Sequence, residues 1–293
     1  MPVPLVENAP AKVNLTLRVL GRRADGYHEI SSLVVFADLA DRLSLMPGRE
    51  LTLSVGGPRA ASAGVNADNL VLKATRALAA QLPSIVAGAF DLEKNLPAAA
   101  GIGGGSADAA AALRLLARVN KLPSDDPRLY DAARSTGADV PVCLDPRPRL
   151  MGGIGEKLSP PLKLPPLFAV LINPSAAVPT KDVFAAWTPN ANAAPPFDLA
   201  AVEKIETGTG LLELLARDAN DLEWPAVKLA PIIAEALAAL RACDGCRLAR
   251  MSGSGATCFG IFYSREAAQA AALTLCAKYP RWWVKPCTLG AAG

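Results

Sequence analysis

The chain has 293 residues, of which 51% are hydrophobic and 19% are charged, and its formal net charge is +3. This composition excludes a disordered chain and is typical of one large or two ordinary globular domains. The small net charge, without a clustered basic stripe, gives no electrostatic reason to expect nucleic acid as a partner.

The first patterned segment is AKVNLTLRVL, residues 11–20, in which apolar and polar residues alternate. Lys12 and Asn14 share one face and Val13 lies on the other, which predicts a half-buried strand. GRRADGYHEI, residues 21–30, follows as a polar turn.

The remaining elements mix strands and helices without regular βαβ alternation. Strands are predicted for SSLVVFADL, DRLSLMP, LTLSVGG, FDLEKNLP, DVPVCL, MGGIGEKL, LFAVLINP, RWWVKPCTL and both ends of RLARMSGSGATCFGIF. Helices are predicted for NLVLKATRALAAQL (capped by Asp68), the segment after Ser106, DPRLYDAARSTG, PTKDVFAAW, ETGTGLLELLARD, WPAVKLAPIIAEALAAL and EAAQAAALTLCAKY, and ANAAPPFD is predicted to be a loop. This order favours an α+β fold in two lobes, with domains at 1–149 and 150–293.

Targeting and membrane signals are missing from the sequence, which predicts a cytoplasmic protein. The N-terminal segment contains prolines and a Glu where a signal peptide needs an apolar run, and no apolar window is long enough for a membrane span. The six cysteines are therefore expected to be thiols. CDGC, residues 243–246, lacks the further ligands of a zinc site, and His28 is the only histidine, which makes a Ser-His-Asp hydrolase a poor fit.

LPAAAGIGGGSADAAAAL, residues 96–113, places glycines directly before a strong helix former. A glycine turn that leads into a helix exposes unpaired N–H groups and the positive end of the helix dipole, which together bind phosphate. A turn that only allows close packing is the alternative. The P-loop motif fails because no Lys precedes Ser106, and the dinucleotide and protein-kinase motifs fail because Ser106 stands where a Gly is required.

Three separated segments, AKVNL, PAAAGIGGGSADAA and MSGSGAT, resemble the three motifs of the GHMP small-molecule kinases, which phosphorylate galactose, homoserine, mevalonate and related alcohols. AKVNLTLRVLGRRADGYHEISSL and GADVPVCL are similar to the branch that acts on a cytidine-diphosphate-linked sugar alcohol in isoprenoid precursor synthesis. The resemblance spans residues 9–262 and implies a two-lobed fold with the active site in the cleft between the lobes. Ala107 departs from it, because many members carry a second Ser there.

The resemblance implies that Asp139 is the general base and Lys12 its charge-stabilising partner. A lysine beside Asp139 would hold that carboxylate ionised and stabilise developing negative charge. Without the resemblance, an Asp in a turn and a lysine on a strand are ordinary structural residues.

ATP and Mg²⁺ are the implied cofactors. The implied ATP contacts are Pro97, Gly101, Gly103, Gly104, Gly105, Ser106 and Ala107, with Asn69 and Lys94 beside the adenine. Ser106 is the candidate contact for Mg²⁺, and the other metal ligands stay open. Asp108, expected in the first helical turn, either complements the helix dipole or contacts the metal.

The implied contacts to the small-molecule substrate are Asn14, Tyr27, His28, Thr180 and Phe184. Tyr27 and Phe184 are expected to sandwich the cytosine ring, and His28 is expected to form a hydrogen bond with it. The turn at 252–257 is expected to shape the phosphate site, although simple turn geometry explains it nearly as well.

Two other functions stay open. The first is a GHMP kinase for another alcohol, such as mevalonate or homoserine. The second is a nucleotide sensor without catalysis, which leaves Lys12 and Asp139 without a chemical purpose. The sequence predicts neither a membrane partner nor an oligomeric state.

Overall fold

The computed structural model describes residues 3–62, 68–189 and 199–290. Its strands are β1 (Leu5–Asn14), β2 (Arg18–Arg22), β3 (His28–Gly48), β4 (Thr52–Gly56), β5 (Ala87–Glu93), β6 (Arg149–Gly153), β7 (Lys157–Leu158), β8 (Leu167–Asn173), β9 (Cys246–Met251), β10 (Cys258–Phe262) and β11 (Trp283–Leu289). Its α-helices are α1 (Leu70–Gln81), α2 (Gly104–Val119), α3 (Pro127–Thr136), α4 (Val140–Leu144), α5 (Thr180–Ala186), α6 (Leu199–Glu203), α7 (Gly208–Ala216), α8 (Glu223–Leu229), α9 (Ile232–Arg241) and α10 (Arg265–Lys278). No helix in these three ranges is both long and apolar enough to cross a membrane.

These elements form two compact units that are not continuous along the chain. The described residues of Met1–Lys12, Leu39–Ala98 and Gly103–Pro146 form the first unit, and those of Val13–Asp38, Ala99–Ile102 and Arg147–Gly293 form the second. Residues 13–38 and 99–102 thus pack with the later half of the chain. The α+β class is confirmed, and the division into domains 1–149 and 150–293 stays a prediction.

The first unit contains a short sheet and a group of helices that pack on one another. The later part of β3 pairs antiparallel with β5, and β4 pairs parallel with β5. Helix α1 packs on α2 and α3, and α4 packs on the same two helices. Ala109, Ala110, Ala111 and Ala112 of α2 are fully buried. Alanine favours the helix and projects only a methyl group, so neighbouring elements approach α2 closely on several sides.

In the second unit, β8 lies between β11 and β10, is antiparallel to both, and β9 pairs antiparallel with β10. Helix α10 packs on β8 and β11, and α9 packs on β9 and β10. The earlier part of β3 pairs with β2 and β6. A continuous apolar run such as LFAVLIN is typical of a strand buried on both faces, and Ala169 to Ile172 are fully buried.

The prediction of a strand at DVPVCL is wrong, because Val140–Leu144 forms the helix α4. Pro141 lies in its first turn, where the missing N–H costs nothing because that group has no partner inside a helix. All five residues of α4 are buried, and a short apolar run carries no period that separates a buried strand from a buried helix turn.

The prediction of one half-buried strand at residues 11–20 is also wrong. The segment divides into the end of β1 and the start of β2, and both faces are buried. The polar face is buried because its side chains have partners: Lys12 pairs with Asp139, Asn14 with Ser32 and Arg18 with Asp221. The alternation therefore marks one apolar and one polar buried face.

Two smaller expectations also change. Asn69, rather than Asp68, caps α1, since its side chain accepts a hydrogen bond from the N–H of Val71. WPAVKLAPIIAEALAAL forms the two helices α8 and α9 instead of one, because Pro231 lies between them and cannot continue a helix. The predicted loop at ANAAPPFD lies outside the described residues.

Arg114 of α2 holds the elements that carry Lys12 and Asp139. Its guanidinium donates to the carbonyl of Cys143 in α4 at 2.8 Å and to the carbonyl of Asn8 in β1 at 2.7 Å. It also forms an ion pair with Glu7 at 3.1 Å. One side chain therefore joins α2, the strand that ends with Lys12 and the helix that Asp139 precedes.

Arg114→Ala is expected to lower the free energy of unfolding by about 2 kcal/mol, because two carbonyls lose a charged donor. Arg118→Ala is the matched control, since Arg118 lies on the same helix and also pairs with Glu7, but its side chain is 50% exposed. That change is expected to cost less than about 1 kcal/mol. Urea unfolding measures both values, and equal losses would contradict this role of Arg114.

Candidate active site

Lys12 and Asp139, 127 positions apart in the chain, form an ion pair in the first unit. The Lys12 Nζ donates to Asp139 Oδ2 at 2.7 Å. The lysine side chain is 4% exposed, while that of Asp139 is 35% exposed. A buried ammonium needs an anionic partner, so Lys12 is fixed against the carboxylate. Asp139 keeps an accessible side from which a second molecule can reach it.

Asp139 owes its position to the junction of two helices. Helix α3 ends at Thr136, the N–H of Val140 donates to the carbonyl of Gly137, and α4 begins at Val140. Asp139 is the N-cap residue of α4, but its side chain does not cap that helix. Its carboxylate is therefore available for Lys12.

The start of α2 presents backbone N–H groups without helical partners. Gly103 is the N-cap residue and has no side chain to cap the helix. The first helical hydrogen bond runs from the N–H of Ala107 to the carbonyl of Gly103. The N–H groups of Gly104, Gly105 and Ser106 therefore lie ahead of the helical ladder, at the positive end of the dipole of a helix of 16 residues.

Glycine is required at two positions of this loop. Gly103 has a φ of +62°, and a Cβ there would lie 3.3 Å from the Cβ of Lys12, so the start of α2 lies directly against the Lys12 side chain. Gly101 has a φ of +74°, and a Cβ there would lie 2.5 Å from the carbonyl oxygen of Ser252. Both positions combine a left-handed conformation with a close neighbour, which only glycine tolerates.

The other predicted nucleotide contacts differ in their exposure to solvent. Pro97 and Ala107 are buried, Gly104 is buried, Gly105 is exposed and Ser106 is half-buried. The side chains of Pro97 and Ala107 are buried, and the N–H of Ala107 already donates to the carbonyl of Gly103.

The second glycine turn, residues 252–257, holds the start of the glycine loop, residues 101–106, within the second unit. The Ser252 hydroxyl donates to the carbonyl of Gly101 at 2.9 Å and accepts from the N–H of Asn14 at 3.1 Å. The N–H of Thr257 donates to the carbonyl of Ala100 at 3.1 Å. This turn therefore has a packing role in the structure. The sequence alone leaves its role open between packing and phosphate binding.

The side chain of Asn14 donates to the hydroxyl of Ser32 at 2.7 Å, and its Oδ1 is buried without a hydrogen-bond partner among the described residues. Thr180, at the start of α5, lies 2.8 Å from the hydroxyl of Ser254. Both predicted substrate contacts are thus tied to the surroundings of the second glycine turn.

The predicted aromatic site lies in the second unit and includes a residue that the sequence analysis missed. The ring of His28 stacks on Phe184 with 5.0 Å between centroids, and Trp187 meets His28 edge-on at 5.8 Å. Tyr27 is 59% exposed. Trp187 follows Phe184 by three positions, which on a helix places the two side chains on one face, so this spacing was the available signal. Burial and the nearby Arg22 hold the pKa of His28 below its usual value.

Lys94 is bound by two carboxylates. Its ammonium donates to Asp41 and, at 2.6 Å, to Asp108. Asp41, which the sequence analysis missed, also accepts from the N–H groups of Asn95 and Leu96 at 2.5 and 2.8 Å. Burial lowers the pKa of Lys94, but the two carboxylates more than offset this effect and raise it.

These contacts leave Lys94 and Asn69 with structural roles in this arrangement. The side chain of Asn69 caps α1, and the ammonium of Lys94 faces Asp41 and Asp108. Their contacts to adenine stay a prediction.

Asp108 lies beyond the first turn of α2, because the helix already begins at Gly104, and the expectation of a first-turn position is wrong. Its Oδ2 accepts from Lys94, while its Oδ1 is buried without a hydrogen-bond partner among the described residues. Burial raises its pKa to about 7, despite the attraction of Lys94. Asp108 is therefore protonated at pH values below about 7.

Comparisons with known proteins give a consistent result. Models of the GHMP kinases match the chain at residues 69–145 for the N-terminal domain and 200–281 for the C-terminal domain. A protein of Rhodopseudomonas palustris (strain BisA53) named 4-diphosphocytidyl-2-C-methyl-D-erythritol kinase is 56% identical over 291 residues, covering 97% of each chain. A protein of the same name from Methylobacterium radiotolerans is 57% identical and covers 96% of this chain and 98% of its own.

Solved structures agree on the fold. A crystal structure of 4-(cytidine 5'-diphospho)-2C-methyl-D-erythritol kinase has a TM-score of 0.77 and 38% identity, and the match covers 98% of this chain and 100% of that one. L. major mevalonate kinase matches with a TM-score of 0.65 over 100% of this chain and 99% of its own. At 16% identity, the second match supports the fold alone.

Asp108→Asn is expected to gain stability relative to the unaltered protein as the pH rises. Because the pKa of Asp108 is near 7 in the folded state and near 3.8 when unfolded, folding takes up a proton between these values. The contribution of Asp108 to the free energy of unfolding therefore falls as the pH rises from about 4 to about 7 and stays low above that range. Asparagine has no such titration.

Urea unfolding at pH 5 and pH 8 measures the difference between the two proteins, which is expected to move by about 1–4 kcal/mol in favour of the variant at pH 8. Asp131→Asn, at a surface site where the side chain is 57% exposed, is the control. The same difference at both pH values would show that Asp108 is ionised throughout.

Proposed function

The chain belongs to the GHMP kinases, and we propose that it transfers the γ-phosphoryl group of ATP to the 2-hydroxyl of 4-diphosphocytidyl-2-C-methyl-D-erythritol, in isoprenoid precursor synthesis. It is a small-molecule kinase. The choice of acceptor is supported by the full-length relatives above 50% identity that carry this name. The chemistry is supported by the Lys12–Asp139 pair beside the start of α2.

The triphosphate of ATP is bound by the N–H groups of Gly104, Gly105 and Ser106 and by the dipole of α2. The left-handed conformations of Gly101 and Gly103 shape the turn that leads to these N–H groups. Phosphoryl transfer through a loose transition state depends on positioning and charge stabilisation more than on covalent chemistry. Fixed amides next to Lys12 supply both.

Asp139 acts as the general base. As the substrate oxygen forms a bond to the γ-phosphorus, the bond from that phosphorus to the bridging oxygen breaks, ADP leaves and the hydroxyl proton moves to the Asp139 carboxylate. The ammonium of Lys12, at 2.7 Å, holds the carboxylate in place before the transfer and offsets negative charge on the oxygen during it.

Mg²⁺ fits this site as a phosphate-bound ion. The described residues contain no group of three or more His, Cys, Asp or Glu side chains able to hold a metal. Mg²⁺ commonly relies on few protein ligands and takes the rest from phosphates and water. Ser106, half-buried in the first turn of α2, would contact it, and the ion would neutralise charge on the phosphate oxygens.

The cytidine end of the substrate is recognised by Tyr27, His28 and Phe184, with Thr180 and Asn14 as polar contacts. Stacking of a base on an aromatic ring contributes about 1–3 kcal/mol. Phe184 holds the His28 ring at 5.0 Å, which orients the imidazole. A neutral His28 then offers one donor and one acceptor to the cytosine edge.

Asp139→Asn is expected to lower kcat by about 100-fold or more, because asparagine cannot accept the hydroxyl proton. The affinity for ATP is expected to stay unchanged, since the amides of α2 are intact. A coupled assay of ADP release with the cytidine-diphosphate substrate gives kcat, and calorimetry with a non-hydrolysable ATP analogue gives the affinity.

Asp131→Asn is the control for the asparagine substitution. A variant that keeps full turnover would exclude Asp139 as the base. An unaltered protein that binds the analogue but turns over no alcohol, with mevalonate and homoserine included, would instead indicate a sensor.

Tyr27→Ala and Phe184→Ala are each expected to raise KM for the cytidine-diphosphate substrate about tenfold, which corresponds to about 1.4 kcal/mol of lost stacking. KM for ATP is expected to stay constant. Tyr263→Ala, at a position 68% exposed, is the aromatic control. Unchanged KM values in both variants would favour a kinase for an alcohol without cytidine.

A further inference from the structure

Asn220 lies between α7 and α8 and is 5% exposed. Its Nδ2 donates to the carbonyl of Met251, directly before the second glycine turn, and to the carbonyl of Gly253 within that turn, each at 2.8 Å. Its Oδ1 accepts from the N–H of Leu222 at 2.9 Å. Both amide hydrogens and the amide oxygen are thus engaged, so the side chain is locked in one orientation.

The backbone around Asn220 is itself fixed. The N–H of Leu17 donates to the carbonyl of Ala219 at 3.0 Å, and the N–H of Asp221 donates to the carbonyl of Leu17 at 2.8 Å. Arg250 adds bonds to the carbonyls of Leu215 at 2.9 Å and Asp218 at 2.6 Å. Asn220 therefore works from a rigid base within the second unit.

The second glycine turn, to which Asn220 is hydrogen-bonded, contacts two groups with proposed roles. Ser252 and Thr257 bind the carbonyls of Gly101 and Ala100, which begin the glycine loop. Ser254 binds Thr180, the proposed polar contact to the substrate. A displacement of the turn is passed to both through hydrogen bonds of about 3 Å.

We propose that Asn220 is a positioning residue of the active site. It fixes Met251 and the second glycine turn, and through that turn it fixes the start of the glycine loop and Thr180. This rests on the proposed function for its effect on turnover, and on hydrogen-bond geometry alone for its effect on the turn. Only an amide supplies two donors and one acceptor at this point. Aspartate of the same shape would place a carboxylate oxygen, instead of the two N–H donors, against the carbonyl oxygens of Met251 and Gly253.

Asn220→Asp tests the role, and Asn120→Asp is the matched control. Asn120 also donates to two carbonyls, those of Val86 at 2.9 Å and Leu116 at 2.8 Å, and accepts from the N–H of Val86 at 2.8 Å. It lies at the other end of α2 from the glycine loop. Each substitution removes two hydrogen bonds from an amide to backbone carbonyls, at a buried position for Asn220 and a half-buried one for Asn120.

Hydrogen exchange read by mass spectrometry gives the first measurement, since it needs no turnover. The amide of Thr257, which donates to Ala100, is expected to exchange faster in Asn220→Asp than in Asn120→Asp or the unaltered protein. Under conditions where circular dichroism shows all three proteins folded, kcat of Asn220→Asp is expected to fall about 10- to 100-fold, as for a misplaced reacting group. Asn120→Asp is expected to keep its kcat.

Equal exchange at Thr257 in the two variants, or a kcat that falls only with the folded fraction, would overturn the proposal. Asn220→Ser, which keeps one donor and adds no charge, supplies the same measurements if the aspartate variant does not fold, with intermediate effects expected. An unaltered protein without turnover would contradict the proposed function, while the exchange data would still decide the role of Asn220.

Discussion

A helix that begins on glycine leaves its first N–H groups without a partner, and the candidate site is arranged around that constraint. Gly103 offers no capping side chain, and the helical ladder of α2 starts only with Ala107. Partners for these groups must come from water or from a ligand, and an anion suits them best. Lys12 lies against Gly103, so the groups that would bind phosphate and the ion pair with Asp139 occur in one compact unit.

Contacts between α2 and its neighbouring elements hold this arrangement in place. The alanines of α2 let α1 and α4 pack closely on it, and Arg114 ties α2 to β1 and α4. The contacts of Lys94 with Asp41 and Asp108 fix the segment before the glycine loop to the same helix. These two polar clusters hold α2 in place, and the second glycine turn holds Gly101 within the other unit.

Local patterns predicted most strands and helices, as well as the helix start that follows the glycine loop. The pairing of Lys12 with Asp139 came from resemblance to a family, since no periodicity connects residues 127 positions apart. The prediction of a strand at DVPVCL is wrong because burial on all sides removes the pattern that separates a helix from a strand. Asp41 and Asn220 carried no local signal at all, because the roles of both depend on partners distant in sequence. Trp187 did carry one, the helical spacing from Phe184.

A crystal structure of the protein with a non-hydrolysable ATP analogue tests the central claim most directly. We expect phosphate oxygens within hydrogen-bond distance of the N–H groups of Gly104, Gly105 and Ser106, with the Asp139 carboxylate facing the γ-phosphate. A triphosphate bound away from the start of α2, or an Asp139 side chain turned away from the γ-phosphate, would contradict it.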